Sequence, residues 1–180
     1  MKIERREFVT SVLAGGLAIP AAAKQGHHHH RPISGPLASA KVSFGAWPAS
    51  SAAPLDRFAT PAAPDAPNVH QLIPNVVTIK AGGTVDFIIA GFHVLAIYGP
   101  GTRPEDIDET NVEPLPGAPP DLPPVIADPN DRVYRGLNPI PLPQDRVEVV
   151  QFNRRGTYLV ICAFLPHFED EMWGFVRVLP

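Results

Sequence analysis

The stretch Thr157-Tyr-Leu-Val-Ile-Cys162-Ala-Phe-Leu-Pro-His167-Phe-Glu-Asp-Glu-Met172-Trp-Gly-Phe-Val-Arg-Val-Leu179 decides how this chain folds and what chemistry it carries. Two apolar, strand-like runs flank a short loop, and Cys162, His167 and Met172 recur along it as Cys-x4-His-x4-Met. A thiolate, an imidazole and a thioether make a soft donor set, which suits copper better than the oxygen-seeking magnesium or calcium. In the first run, Tyr158, Val160 and Cys162 alternate with Leu159 and Ile161. Successive strand side chains point to opposite faces, so a strand apolar on both faces belongs in the middle of a core. Such a strand fixes the sulfur at its end, and Pro166 stiffens the loop after it. A fourth donor has to come from another strand.

His93 is the best candidate for it. It lies in Gly91-Phe-His-Val-Leu-Ala-Ile-Tyr98, a run that reads as a strand stopped by Gly99-Pro-Gly101. His70, beside Asn68 and Val69 in a proline-flanked stretch, competes with it and ranks lower. Upstream, Val76–Ile79 and Thr84–Ile89 are β-branched runs separated by Lys80-Ala-Gly-Gly83, which reads as a turn. Arg146–Phe152 alternates in part and predicts a strand, with the turn Asn153-Arg-Arg-Gly156 after it; Trp173–Leu179 closes the domain. Val42–Trp47 predicts an edge strand, and residues 49–68, rich in Ala, Pro and Ser, a loop or linker. With no internal repeat and no long amphipathic helix, the pattern predicts an all-β antiparallel sandwich of about seven or eight short strands. Between Gly99 and Asp145 stand 12 prolines, which exclude regular helix through most of that stretch. A loop of that length either has a task or is a surface cover.

The 180 residues suffice for one domain with a core of its own, and 44% of them are apolar while 18% are charged. A formal charge of −3 gives no basic patch for nucleic acid or a membrane surface. One cysteine excludes an internal disulfide, so Cys162 is either an inert buried thiol or a thiolate ligand. Residues 1–23 read as an export signal. Lys2, Arg5 and Arg6 precede a mildly apolar run from Phe8 to Ile19, too short to span a bilayer, and Ala21-Ala-Ala23 comes next. Arg5-Arg-Glu-Phe-Val9 is similar to the twin-arginine signal, with Glu4 where that signal usually has Ser or Thr. Cleavage after Ala23 removes three basic and two acidic residues and takes the formal charge from −3 to −4. Residues 24–40 read as a flexible tail carrying His27 to His30, a tract able to capture copper or zinc, and 41–180 as the folded domain with its proline-rich insertion at about 99–145.

The stretches from Val76 to Gly101 and from Gln151 to Leu179, about a third of the chain, resemble the cupredoxins, the small blue-copper proteins. Gly156-Thr-Tyr-Leu-Val-Ile-Cys162 is similar to the Gly-Thr-Tyr-x-x-x-Cys run that enters their copper loop. Cys-Ala-Phe-Leu-Pro-His is similar to the azurin loop in its Phe two places after the cysteine, and the Cys-x4-His-x4-Met spacing is closest to the rusticyanin type. The resemblance implies a Greek-key β-sandwich holding one type 1 copper, with His93, Cys162 and His167 as trigonal ligands and Met172 as the long axial one. Val94 stands where many of these proteins have an Asn that ties the two ligand segments together.

The same resemblance implies an exported or periplasmic, monomeric, non-enzymatic carrier of single electrons between redox protein partners. Electrons would pass at the edge of His167 through a partly exposed collar of Pro166 and Phe168. The acidic run Glu169-Asp-Glu171 either steers a basic partner or is a solvated loop. On the same fold, a periplasmic copper chaperone or store, aided by His27 to His30, is the alternative. A multicopper enzyme lacks its His-x-His pairs outside that tract, a binuclear centre lacks its second cysteine, and a metal-free interaction module leaves the donor set unexplained.

Overall fold

The computed structural model describes residues 36–45, 70–142 and 144–180. The export signal, the histidine tract, Trp47 and the stretch 49–68 lie outside them. Among the described residues the chain forms ten strands: β1 (Leu37–Phe44), β2 (Leu72–Ile73), β3 (Val76–Ile89), β4 (Leu95–Pro100), β5 (Val112–Glu113), β6 (Val125–Ile126), β7 (Arg132–Arg135), β8 (Arg146–Phe152), β9 (Gly156–Cys162) and β10 (Trp173–Leu179). The helix α1 (Leu165–Glu169) lies between β9 and β10, and a 3-10 turn covers Pro104–Asp106.

The frame is set by β3, 14 residues long. Val77, Ile79, Gly83, Val85, Phe87 and Ile89 point inward, and the period of two runs unbroken through the glycine pair. Residues 76–80 pair with β10, whereas residues 83–89 pair with β8, and β1 pairs with Ile79 and with residues 84–89. One strand therefore serves two groups, β2-β1-β3-β8 and β3-β10-β9-β4-β7. Lys80–Gly83, expected as a turn, does not reverse the chain. Gly82 takes φ +81°, and a Cβ on Gly83 would come 2.7 Å from the Ala38 carbonyl oxygen and 2.8 Å from that of Lys80. Glycine here permits a close crossing inside a continuing strand.

The continuous β3 also corrects the expected antiparallel sheet. Both β1 and β10 run parallel to β3, while the other pairings are antiparallel, so the sheet is mixed. Two runs linked by a hairpin would have opposed each other; two halves of one strand share a direction, and distant strands approach each half. The expected edge strand is β1, and it lies between β2 and β3.

The core is continuous between the two groups. Phe44, Phe87, Ile79, Ile89, Leu95, Ile97, Leu159 and Ile161 are fully buried in it, and each such side chain contributes about 1.5–3 kcal/mol relative to an exposed one. As its two apolar faces predict, β9 is central, flanked by β10 and β4, with Tyr158 to Cys162 all buried.

Candidate metal centre

Cys162 is the last residue of β9 and fully buried. Its backbone N–H donates to the Met172 carbonyl at 3.0 Å, and the Met172 N–H donates to the His167 carbonyl at 2.9 Å, so the loop is tied back on itself. Between them, α1 begins at Leu165 with Pro166 in its first turn, where a missing N–H costs nothing. The N–H groups of His167 and Phe168 both donate to the Phe164 carbonyl, at 2.9 and 3.1 Å. Glu171, at φ +60°, ends the loop and returns Met172 to the interior, where it is fully buried.

His93 stands in the connection between β3 and β4, two residues before β4 starts, not within a strand as expected. Its ring is fully buried, with Phe44 edge-on at 6.3 Å. Two side chains at the β8 entry hold the backbone of the segment that carries it. Asp145 accepts from the Gly91 N–H at 2.9 Å, and Arg146 donates to the His93 carbonyl at 3.0 Å. Arg146 also donates to Glu148 at 2.8 Å, and Glu148 accepts from the Tyr134 hydroxyl at 2.9 Å. Burial first, then the Glu148 carboxylate, pushes the Tyr134 phenol up to about 12. None of Arg146, Glu148 and Tyr134 stands out in the sequence as part of the site. A signal is present all the same: Glu148 shares strand parity with Phe152, an acid on the inward face of β8.

The link that Asn would supply after the first histidine is made by backbone instead. The Ala163 N–H donates to the Val94 carbonyl at 2.6 Å, joining the His93 and Cys162 segments directly. The proline-rich stretch adds a clamp from the other side. The Ile126 N–H donates to the Ala163 carbonyl at 2.7 Å, the Leu165 N–H donates to the Pro124 carbonyl at 3.1 Å, and Val125 bridges to Phe164. Residues 124–126 of that stretch thus lie hydrogen-bonded along the loop that carries Cys162 and His167.

These anchors bring three donors together. His93 Nδ1 and His167 Nδ1 are 3.0 Å apart, and the Cys162 sulfur lies 3.6 Å from the first and 3.5 Å from the second. The point equidistant from all three atoms is about 2.0 Å from each, a metal–imidazole bond length and about 0.3 Å short of a metal–thiolate one. It is the His/Cys/Asp/Glu cluster with metal-ligand spacing found among the described residues. Burial, then His93 and His70, lowers the His167 pKa to about 2, so the ring is neutral and free to donate a lone pair. One sulfur and two imidazole nitrogens converging on a point make a donor set that fits copper.

In loop and donor set the chain resembles the cupredoxins.

No protein-family model matches the sequence, and no curated protein matches it. Solved structures do. Reduced auracyanin from the photosynthetic bacterium Roseiflexus castenholzii is 18% identical over 81% of this chain and 100% of its own, with a TM-score of 0.49. Auracyanin B is 18% identical over 82% of this chain and 94% of its own, at 0.45. A pseudoazurin from Hyphomicrobium denitrificans is 19% identical over 78% and 74%, at 0.39. Each is a likeness of chain course at low identity, and the reading of the cupredoxin-like centre rests on its own side chains.

The surroundings of the site follow one expectation and alter another. His70, the competing ligand, does not join the three donors; it stacks on the ring of His167. Of the expected collar, Pro166 is part-exposed, but Phe168 is 5% exposed and the His167 ring between them 2%. Phe168 folds inward with α1, while Glu169, Asp170 and Glu171 remain exposed. Phe164 packs edge-on to His167 at 4.7 Å and to Phe92 at 5.2 Å, which makes the inner wall apolar.

Proposed function

We propose that the protein is an exported type 1 copper protein that passes single electrons between redox protein partners, and that His93, Cys162, His167 and Met172 would hold the copper. The observation that carries this reading is the triangle of three buried donors sized for one metal ion. Copper, when bound, supplies a one-electron Cu(II)/Cu(I) couple. The chain's part is to keep the donors still. Cys162 is held by β9 and by the Met172 carbonyl, His93 by Arg146 at its carbonyl and by Asp145 at the Gly91 N–H before it, and His167 by the first turn of α1. Phe92 and Phe164 exclude water, which leaves little solvent to reorganise when the charge changes. Export is supported by residues 1–23, and no described helix is long and apolar enough to cross a membrane.

A chaperone or store would need donors open to exchange; His93, Cys162 and His167 are 0, 0 and 2% exposed. Voltammetry of the copper-loaded protein tests the difference. Electron transfer predicts a reversible one-electron wave with copper retained in both states, whereas a store predicts copper lost on reduction. Met172→Leu is expected to keep the colour and raise the potential, because losing the thioether donor favours Cu(I). A tenfold change in the ratio of the two affinities is a shift of about 59 mV. An unchanged potential would take Met172 off the ligand set.

A further inference from the structure

The outer side of His167 is not open. His70, 97 positions earlier in the chain, lays its ring over that of His167, with centroids 3.9 Å apart and planes 26° from parallel. One turn beyond His167, Asp170 accepts a hydrogen bond from His70 Nδ1. The His70 backbone is anchored as well: the next residue, Gln71, accepts from the Gly45 N–H at 2.9 Å, and Leu72 pairs with Phe44 at the end of β1. His70 is thus fixed from below by β1 and from the side by the metal loop. Its side chain is 18% exposed, against 61% for Asp170. Its Nε2 is buried and has no hydrogen-bond partner among the described residues. A lone surface histidine would turn that nitrogen to water, since an unpaired buried polar atom costs about 1–3 kcal/mol.

From this geometry we infer that His70, oriented by Asp170, is a positioning residue of the metal centre: it closes the outer face of His167 against solvent and fixes the angle of that ring. The inference rests on the proposed function for its purpose, and on the stack alone for its geometry. It gives Asp170 a task other than steering a partner, and leaves Glu169 and Glu171 as the free acids of the loop. It also explains how His167 stays covered when Phe168 has folded inward. A pair that closes the ring in the metal-free protein slows escape of a bound ion, because the Nδ1 atom cannot swing outward.

The test uses the full chain with His70→Ala, His70→Phe and Asp170→Asn. In the metal-free protein, a soluble gadolinium chelate should broaden the His167 ring resonances in His70→Ala and leave them sharp in the parent. His70→Phe, which keeps a flat ring over His167, should restore most of the protection. After copper loading, release to a competing chelator should be about tenfold faster in His70→Ala than in the parent, the range in which residues behind metal ligands act. Asp170→Asn should fall between. Equal broadening in parent and His70→Ala, or a His70→Phe variant as open as His70→Ala, would overturn the inference. Denaturation of each metal-free variant separates a local opening from general loss of stability. Should the parent bind copper without blue colour, the functional reading fails while the gadolinium comparison still decides the role of His70.

Discussion

Glu148→Leu is expected to destabilise the metal-free protein by about 3–5 kcal/mol, the cost of breaking a buried ion pair from one side. The Glu148 side chain is 2% exposed and that of Arg146 8%, so neither charge is screened by solvent. The carboxylate accepts from Arg146 at 2.8 Å, from the Tyr134 hydroxyl at 2.9 Å and from the Leu137 N–H at 3.3 Å. Without it, the guanidinium is left buried with only the His93 and Leu137 carbonyls, at 3.0 and 3.1 Å, and that of Gln144 at 3.2 Å. Gly136 makes the arrangement tight, since a Cβ there would lie 2.6 Å from the carboxylate. Urea denaturation checks the figure, and a loss below about 1 kcal/mol would mean that water reaches the pair. The double change Arg146→Met with Glu148→Leu should recover much of the stability, because it buries no lone charge. It should still loosen the His93 backbone and weaken copper binding.

Cys162→Ser has the other large effect, on the metal and not on the fold. Serine fills nearly the same space at the end of β9, and its cost to stability is that of a buried hydroxyl, about 1–3 kcal/mol if it finds no partner. A neutral hydroxyl does not replace a thiolate as a soft donor. Copper affinity should therefore fall by more than the about 10–100-fold that changes behind the ligands cause, and thiolate-to-copper absorption should vanish. Circular dichroism of the variant should match that of the parent. An unchanged absorption would exclude Cys162 from the site.

Much of this centre is legible in the chain because its donors lie on segments with clear local patterns. Cys162 ends a run apolar on both faces, and that run is the central β9. His93 is legible as the partner from another segment, although it sits just before β4 and not within it. Everything set by long-range approach is hidden. Lys80–Gly83 has the composition of a turn, and the nearness of Ala38, on another strand, adds a reason for glycine that no local pattern shows. The parallel pairing of β1 with residues 84–89 depends on the chain continuing through that junction. His70 has no periodic pattern around it, so nothing local distinguishes a ligand from a ring stacked on a ligand. The clamp by Pro124–Ile126 is hidden for the same reason: its hydrogen bonds go to residues 163 and 165, far along the chain.

The measurement that bears most directly on the centre is Cu(II) reconstitution of the metal-free protein, with visible absorption, paramagnetic resonance and copper stoichiometry read on the product. Three buried donors in a triangle sized for one ion predict one copper per chain and an intense blue band that Cys162→Ser removes. A colourless protein with an ordinary cupric resonance, or copper bound equally well by Cys162→Ser, would contradict the account.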